Sequence, residues 1–450
     1  MNKREEILQG NLWRLMIRLS LPGILGMLVI SVNGLVDAFF VSHLVGADAF
    51  AGVSYTMPLL TVNAAVIALL SAGAGSVYSR AIGSNDQSIL AMLFRHLLAA
   101  VLVITVLLMI LGFAASPWLL AWLDIPARQL PFAQDFYHVT LAGAFFPVFG
   151  LCTSALIRSE GHIGKAMRIT ALAMLLNALI NPLLIRYAGL GVKGSAMASI
   201  LAMVFYSALT LVHLSGKNSP LQLKWGIIDL QFLHILLKTG LPTFYMQANG
   251  FFRQLILFKL AAFSARSPND VAVFSGIYRL FSFAAIPMFG MLQALGPVVG
   301  INYGAGEFDR SRRAVAIFRS CAIILLLPIA LTCFIFPQTV LSLLLARPEL
   351  AAAGAGYFRL VILVLLMMPF ASGSIVFLQS TGQSALASKF TLRRELLIFL
   401  PVVLFSVYLW HYPGIYIALL AENIIYINIV YWCTRNRMQA VAAQHLRATI

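Results

Sequence analysis

Twelve long apolar stretches, separated by short polar turns, constrain this chain more than any other feature. They fall at about 15–40, 49–75, 96–118, 132–157, 166–187, 193–214, 232–262, 271–299, 314–336, 354–378, 395–411 and 414–433. A stretch of about 20 apolar residues spans a bilayer as a helix, because only a helix satisfies its own backbone polar groups in hydrocarbon. The eleventh stretch is short, as a tilted or wrongly bounded span would be. Composition agrees: 61% of the 450 residues are hydrophobic and 10% charged, against about 45–50% and 25% in soluble domains. A water-soluble enzyme is excluded, and so is a disordered chain, which needs low hydrophobicity. The basic N-terminus could open a signal peptide, but the apolar stretch after it is too long and further spans follow.

The charge balance sharpens the topology. The chain has 31 Lys and Arg against 15 Asp and Glu, a net charge of +16. In a soluble protein such an excess would suggest nucleic acid. In a membrane protein it marks the cytoplasmic loops. An even number of spans puts both termini on one side. Taking that side as the cytoplasm, about 22 basic residues fall inside, about 5 outside, and Arg253, Lys259, Arg279 and Arg359 within or near spans. The expectation is a multi-pass protein of the bacterial inner membrane with both termini cytoplasmic. Its surroundings are the lipid bilayer, and no nucleic-acid partner is expected.

The polar segment SGKNSPLQLKWGIID divides the chain near its middle. The halves match weakly but in order. Leu21-Pro22 pairs with Leu241-Pro242, Gly52 with Gly276, Gly83-x-x-Asp86 with Gly306-x-x-Asp309, Phe94-Arg95 with Phe318-Arg319, Ser159-x-Gly161 with Ser380-x-Gly382, and Pro182 with Pro401. Ordered matches indicate an internal repeat. A six-span repeat enters the membrane twice from the same side, so its copies are related by an axis along the membrane normal. The fold class expected is therefore all-α and polytopic: twelve transmembrane helices in two six-helix bundles related by a pseudo-two-fold. The N-terminal bundle would cover residues 1–214, a cytoplasmic linker 215–230, and the C-terminal bundle 231–450. Such an arrangement favours alternating access over a channel, since no repeated filter or charged ring is evident.

Enzymatic motifs are missing from the sequence. Cys152, Cys321, Cys333 and Cys433 share no metal-ligand or redox spacing. The histidines occur singly, with no HExxH, and no nucleophile–base set is evident. No enzyme activity, metal or cofactor is expected.

Several segments, in order, resemble the multidrug and toxic compound extrusion (MATE) family. They are LSLPGILGML at 19–28, VDAFFVSHLVGADAFAG at 36–52, IRSEGHIGKAM at 157–167, NALINPLLIRYAGLGVKGSAMAS at 177–199, GLPTFYMQ at 240–247, PVVGINYGAGEFDRSRR at 297–313 and FLQSTGQ at 377–383. The bacterial DinF-like branch is most similar. The resemblance covers nearly the whole chain. It implies two bundles around a central cleft and export of small organic compounds, drugs and other xenobiotics, by antiport against H+ or Na+.

Asp37 is the sharpest single feature, an acid well inside the first apolar stretch with no opposite charge at helical spacing. A charge at mid-membrane costs about 2.5–3.5 kcal/mol on insertion scales, and such residues mark ion pathways. The alternative is a carboxylate near the outer end of the span, snorkelling to water. The resemblance implies a cation-coupling role for Asp37, with Asn177, Asn181, Ser199 and Tyr137 as partners. Asn177 and Asn181 are four apart, hence on one helix face. They serve either as ligands or as interhelical hydrogen bonds. Some relatives have a second acid where Asn181 stands. Its absence favours H+ over Na+ as the coupling ion.

Pro22 removes a backbone hydrogen bond inside the first span and favours a kink, either a working hinge or a static bend. In the second half, Glu422 either pairs with an arginine, or the arginines bind an anionic group through the bidentate guanidinium fork. Met27, Phe40, Met57, Met246 and Met288, with Arg253 and Arg279, are the expected cavity residues. The reading is a monomeric, proton-coupled exporter of small organic molecules. Its alternative is a flippase or exporter of a lipid-linked or anionic metabolite, using the basic residues of the C-terminal bundle.

Overall fold

The computed structural model describes residues 3–216, 219–265, 267–345 and 347–448, and the Cys433 side chain lies outside the described part. Among the described residues the regular structure is all helical. A short amphipathic helix, α1 (Lys3–Gln9), precedes the long helices α2 (Leu12–Leu44), α3 (Ala47–Ser84) and α4 (Gln87–Trp122). Next come α5 (Leu130–Ala142), α6 (Phe145–Ser159), α7 (Ile163–Pro182) and α8 (Gly191–Leu214). The second half holds α9 (Leu230–Ser264), α10 (Pro268–Gly304), α11 (Phe308–Ile335), α12 (Pro337–Ser342) and α13 (Pro348–Ser380). It ends with α14 (Ser384–Arg393), α15 (Leu400–Trp410) and α16 (Tyr412–Ala448).

Among the described residues nine helices are long and apolar enough to cross a membrane, or ten if the bent pair α5–α6 is one pass. Two further passes complete the expected twelve. They are α9, interrupted by Gln247, Asn249 and Arg253, and the stretch α14–α15, interrupted by Arg393, Arg394 and Glu395. Polar residues inside a pass lower its mean hydropathy, and both of these passes contribute to the ion-pair network described below.

Two passes differ from their sequence reading. The fourth is not one helix: α5 and α6 meet at 52° across Gly143 and Ala144. The Ile200 side chain packs against Gly143, where a Cβ would collide with it. The eleventh is not short. It begins at Ser384 and reaches Trp410 through a π-helical segment, Arg394–Phe399. Pro401 accounts for the irregularity, since its ring cannot sit over the carbonyl four residues back. Pro182, its match in the sequence repeat, stands instead immediately before a second π-helical segment, Leu183–Tyr187.

Local chemistry sets the helix ends. The Asp86 side chain caps α4 by accepting from the N–H groups of Ser88 and Ile89. Ser267 and Asp270 form a capping box on α10. Gly161 and Gly382 turn the chain with φ of 84° and 81°, in the left-handed region that glycine adopts without cost. They are the pair that the sequence repeat matched. The Gly83–Gly306 match is shifted by two residues in the structure: Asn85, at φ 56°, holds the left-handed turn corresponding to Gly306 at φ 82°. Asparagine tolerates that conformation where most residues do not.

The outward faces of the long helices are apolar. On α4, Leu102, Val103, Val106, Leu107, Ile110 and Leu111 are exposed at helical spacing, while Leu97, Ala100, Val101 and Thr105 are buried. An exposed apolar stripe opposite a small-residue inner face suits lipid on one side and helices on the other.

The chain divides into two compact units, residues 1–24 with 245–450, and residues 25–244. Both breaks fall just after a proline inside a long helix, Pro22 of α2 and Pro242 of α9. The boundaries thus differ from a division at the linker: the opening part of α2, up to Ile24, groups with the second half, and that of α9, up to Phe244, with the first. Residues 219–229 are stitched to the 25–244 unit. The Gln222 N–H donates to the Leu90 carbonyl at 3.2 Å, and the Asp229 N–H donates to His96 Nε2 at 2.8 Å. The core of the other unit includes Phe274, Phe358, Phe399 and Tyr416, each below 2% exposed.

Candidate functional site

Asp37 is the one acid of α2, and three amide side chains meet it within the 25–244 unit, with Ser199 behind one of them. Its own helix supplies Asn33, one turn earlier, whose Nδ2 donates to Asp37 Oδ2 at 3.2 Å. Helix α7 supplies Asn181, whose Nδ2 donates to Asp37 Oδ1 at 2.7 Å. Asn177, one turn before Asn181, fits its neighbours with its amide nitrogen towards the acid, at 2.8 Å from Asp37 Oδ1 and 3.2 Å from Asn33 Oδ1. Its oxygen then accepts from the Ser199 hydroxyl of α8 at 3.2 Å. Asn177 and Asn181 are 1% and 0% exposed, so Asn181 depends on Asp37, and Asn177 on Asp37, Asn33 and Ser199, for hydrogen bonding.

Three amide nitrogens therefore point at one carboxylate, and among the described residues no basic side chain forms an ion pair with it. Donors directed at both oxygens match a carboxylate without a cation. The same amides can rotate by half a turn and present oxygen instead. One such rotation accepts from a protonated carboxyl, and several surround a small cation with oxygen ligands. Asn181 Oδ1 is buried and has no hydrogen-bond partner among the described residues. It is an acceptor held ready beside the acid.

The structure gathers Asp37, Asn177, Asn181 and Ser199 into this network but leaves Tyr137 out of it. Tyr137 is buried on α5 with its hydroxyl against Gly112 of α4. Asn33 was missed in the sequence reading, although its spacing of four residues from Asp37 placed it on the same helix face. Pro22 lies inside an unbroken α2. The residue after it, Gly23, packs directly on the backbone of Gly290 in α10, where a side chain on either glycine would overlap the other helix.

The expected cavity residues separate. Met27, Phe40 and Met246 are half-buried and Met57 is exposed. Met288 is a correction: at 1% exposed it belongs to the core, because α10 turns it inward towards Ser372 of α13. Arg279 is exposed. Arg253 is a second correction, because it is not free to hold a substrate. It donates to Glu395 through Nη2 at 2.7 Å and Nε at 3.2 Å, and to Glu422 through Nη1 at 3.1 Å. Arg394 closes the set, donating to Glu422 at 2.6 Å and to Asn423 at 3.0 Å. Arg253 also lies over the Phe399 ring at 4.2 Å. Two guanidinium groups and two carboxylates thus neutralise one another inside the other unit, residues 1–24 with 245–450. Glu395 and Arg394 escaped the sequence reading because the apolar count began the eleventh stretch at their position.

Comparison with known proteins places this geometry in a family. The MatE family model matches the chain twice, over residues 22–183 and 242–404, each match opening on the proline where the units divide. A protein of Shewanella oneidensis named FAD transporter is 24% identical, across 98% of this chain and 99% of its own length. The multidrug export protein MepA of Staphylococcus aureus is 23% identical over 66% of this chain and 65% of that protein. Among solved structures, MATE in its bent conformation superposes with a TM-score of 0.91 at 24% identity, covering 99% of both chains. An outward-facing multidrug resistance MATE transporter of the MOP superfamily gives 0.88 at 25% identity, covering 97% of this chain and 98% of that one.

Proposed function

The chain belongs to the MatE family, a family of membrane transporters and not of enzymes, and on that premise we propose that it exports small organic compounds by proton antiport, with Asp37 as the proton carrier. The observation that carries this reading is the cluster itself: one acid, three amide donors and no ion-paired cation, with Asn181 Oδ1 unpartnered beside it. A single carboxylate suits one proton. A Na+ site would gain from the second acid that Asn181 replaces.

In this cycle deprotonated Asp37 accepts the three amide nitrogens and favours the state that loads substrate. A proton arriving from outside replaces one of those donors, an amide turns, and α2 repacks at Pro22 to release substrate outward. One charge crossing 100 mV is worth about 2.3 kcal/mol, which supports roughly a fifty-fold gradient at about 1.36 kcal/mol per decade. One proton per cycle therefore suffices for modest export. The protein acts as a monomer in the bacterial inner membrane, with both termini and the linker in the cytoplasm and a six-helix bundle on each side of the linker. Asp37→Asn tests the reading: it should abolish pH-driven efflux from proteoliposomes at unchanged protein content. Efflux at the wild-type rate would overturn it.

A second reading has its own support, since the relative matched end to end carries the name FAD transporter. A flavin dinucleotide is anionic and aromatic, unlike most cationic drugs. Arg253 is committed to Glu395 and Glu422, so binding of an anion would fall to exposed basic residues such as Arg279. Uptake of FAD and of a cationic dye into the same inverted vesicles separates the two. Transport of FAD alone would favour the anionic substrate class, while leaving the coupling role of Asp37 intact.

A further inference from the structure

The 25–244 unit also holds a fully buried carboxylate, far along the sequence from the half-buried Asp37 and outside its network. Glu160 follows the last turn of α6 and is 3% exposed. Its two oxygens have different neighbours. Oε1 accepts from the Tyr78 hydroxyl at 2.7 Å and from the Ser219 hydroxyl at 2.5 Å. Oε2 faces two imidazole nitrogens, His213 Nε2 at 2.9 Å and His162 Nδ1 at 3.3 Å. The two rings meet edge to face with centroids 5.4 Å apart. One carboxylate oxygen of Glu160 and one ring nitrogen from each histidine all lie within 4.8 Å of one another.

The backbone builds this convergence. Gly161 takes φ of 84° between Glu160 and His162, which tightens the turn into α7 and carries both side chains to one point. His213 comes from the last turn of α8. Ser219 comes from the linker. With Tyr78 of α3, four segments of one unit therefore meet at Glu160, at the end from which the linker departs.

We propose that Glu160, His162 and His213 form a binding site for a divalent transition-metal ion of the Zn2+ class. Bonds of about 2.0–2.2 Å to a tetrahedral ion place neighbouring ligand atoms a little over 3 Å apart, close to the spacings of Oε2 from the two nitrogens. Two imidazoles and one carboxylate leave a fourth position for water. This set suits Zn2+, Cu2+ or Ni2+ over Mg2+ or Ca2+, which prefer oxygen. Tyr78 and Ser219 fix the free oxygen of the carboxylate, the outer support that metal-ligating carboxylates commonly have. An ion here joins the α6–α7 turn to the end of α8 and strengthens the hold on the linker through Ser219.

Titrating the metal-free full chain in detergent with Co2+ tests the site. Expected are one equivalent bound, the visible absorption of four-coordinate cobalt, and loss of that band when Zn2+ is added. His162→Gln and His213→Gln should each lose more affinity than the roughly 10–100-fold that an outer-shell change causes, and Tyr78→Phe should fall within that range. If the wild type shows no such band, or the band survives in both histidine variants, there is no site. Should His213→Gln fail to fold, the wild-type spectrum and the more exposed His162→Gln still decide. Dye efflux by the metal-free protein reports on Asp37 separately.

Discussion

Asn181 Nδ2 lies 2.7 Å from Asp37 Oδ1, so a neutral amide of α7 stands where a second acid would face the first. Replacing that amide with a carboxylate converts a one-acid site into a two-acid site with little change in volume. Asn181→Asp should therefore make efflux respond to Na+, because two carboxylates flanking amide oxygens form a hard-cation site. Efflux under an imposed Na+ gradient measures the change. The variant should be stimulated several-fold where the wild type is not. Indifference to Na+ in the variant would remove this pair from the coupling site.

The helical fold was legible in the sequence because hydropathy reports it directly: each of the twelve stretches coincides with helix, the fourth as the bent pair α5–α6 and the seventh and eleventh as helices interrupted by polar residues. Asp37, Asn177, Asn181 and Ser199 were legible as a set through family resemblance and helical spacing. Tyr137 was misplaced because sequence spacing says nothing about how α5 rotates against α4. Met288 was misplaced because methionine serves core and cavity equally well. The fate of Arg253 was hidden because its partner Glu395 lies 142 residues away, at the edge of a stretch bounded by apolarity alone. The cluster at Glu160 was hidden in the same way, since His213 is 53 residues from Glu160.

Arg253 should behave as a keystone of stability. Glu422 is 0% exposed and shares Arg253 with Glu395. Removing Arg253 takes both of its hydrogen bonds from Glu395 and leaves Glu422 with Arg394 alone, so the set carries one excess negative charge, at a cost approaching the roughly 3–5 kcal/mol of a broken buried pair. Arg253→Ala should fall in abundance and lose several degrees of thermal midpoint in detergent. Arg253→Lys should recover only part of the loss, because an ammonium cannot bond Glu395 through two nitrogens. A midpoint unchanged in Arg253→Ala would show that the network carries no stability.

The two halves repeat a close backbone crossing. Gly23 of α2 meets Gly290 of α10, and Gly240 of α9 meets Gly73 of α3, with the same offset of 217 residues between equivalents. A Cβ on Gly290 would sit 2.5 Å from the Ile24 Cα. The helices must then part, and overpacking of this kind costs about 1–3 kcal/mol. Gly290→Ala and Gly73→Ala should each lower the thermal midpoint and alter the labelling of single cysteines introduced next to Pro22 and Pro242. Gly356→Ala, with nothing within 4 Å of the added carbon, should be neutral or slightly stabilising, as alanine outperforms glycine inside a helix.

Asp86 offers a pH test outside the membrane passes. The Ser88 hydroxyl, at 2.6 Å, and then the Ile89 N–H hold its carboxyl below the usual carboxylate range. A carboxyl lowered on folding binds fewer protons in the native state than in the unfolded one. Its contribution is therefore present above the unfolded value, near 3.9, and fades as pH falls through the folded value. At neutral pH Asp86→Ala should lose about 0.5–2 kcal/mol, the usual worth of a helix N-cap. The gap between wild type and variant should narrow as pH drops below about 4. Asp86→Asn keeps the cap without the charge, so it should retain most of the stability and show less of the pH dependence. Thermal midpoints of the three proteins across that pH range measure the effect. A gap that stays constant with pH would mean that Asp86 caps α4 without any stabilisation from its charge.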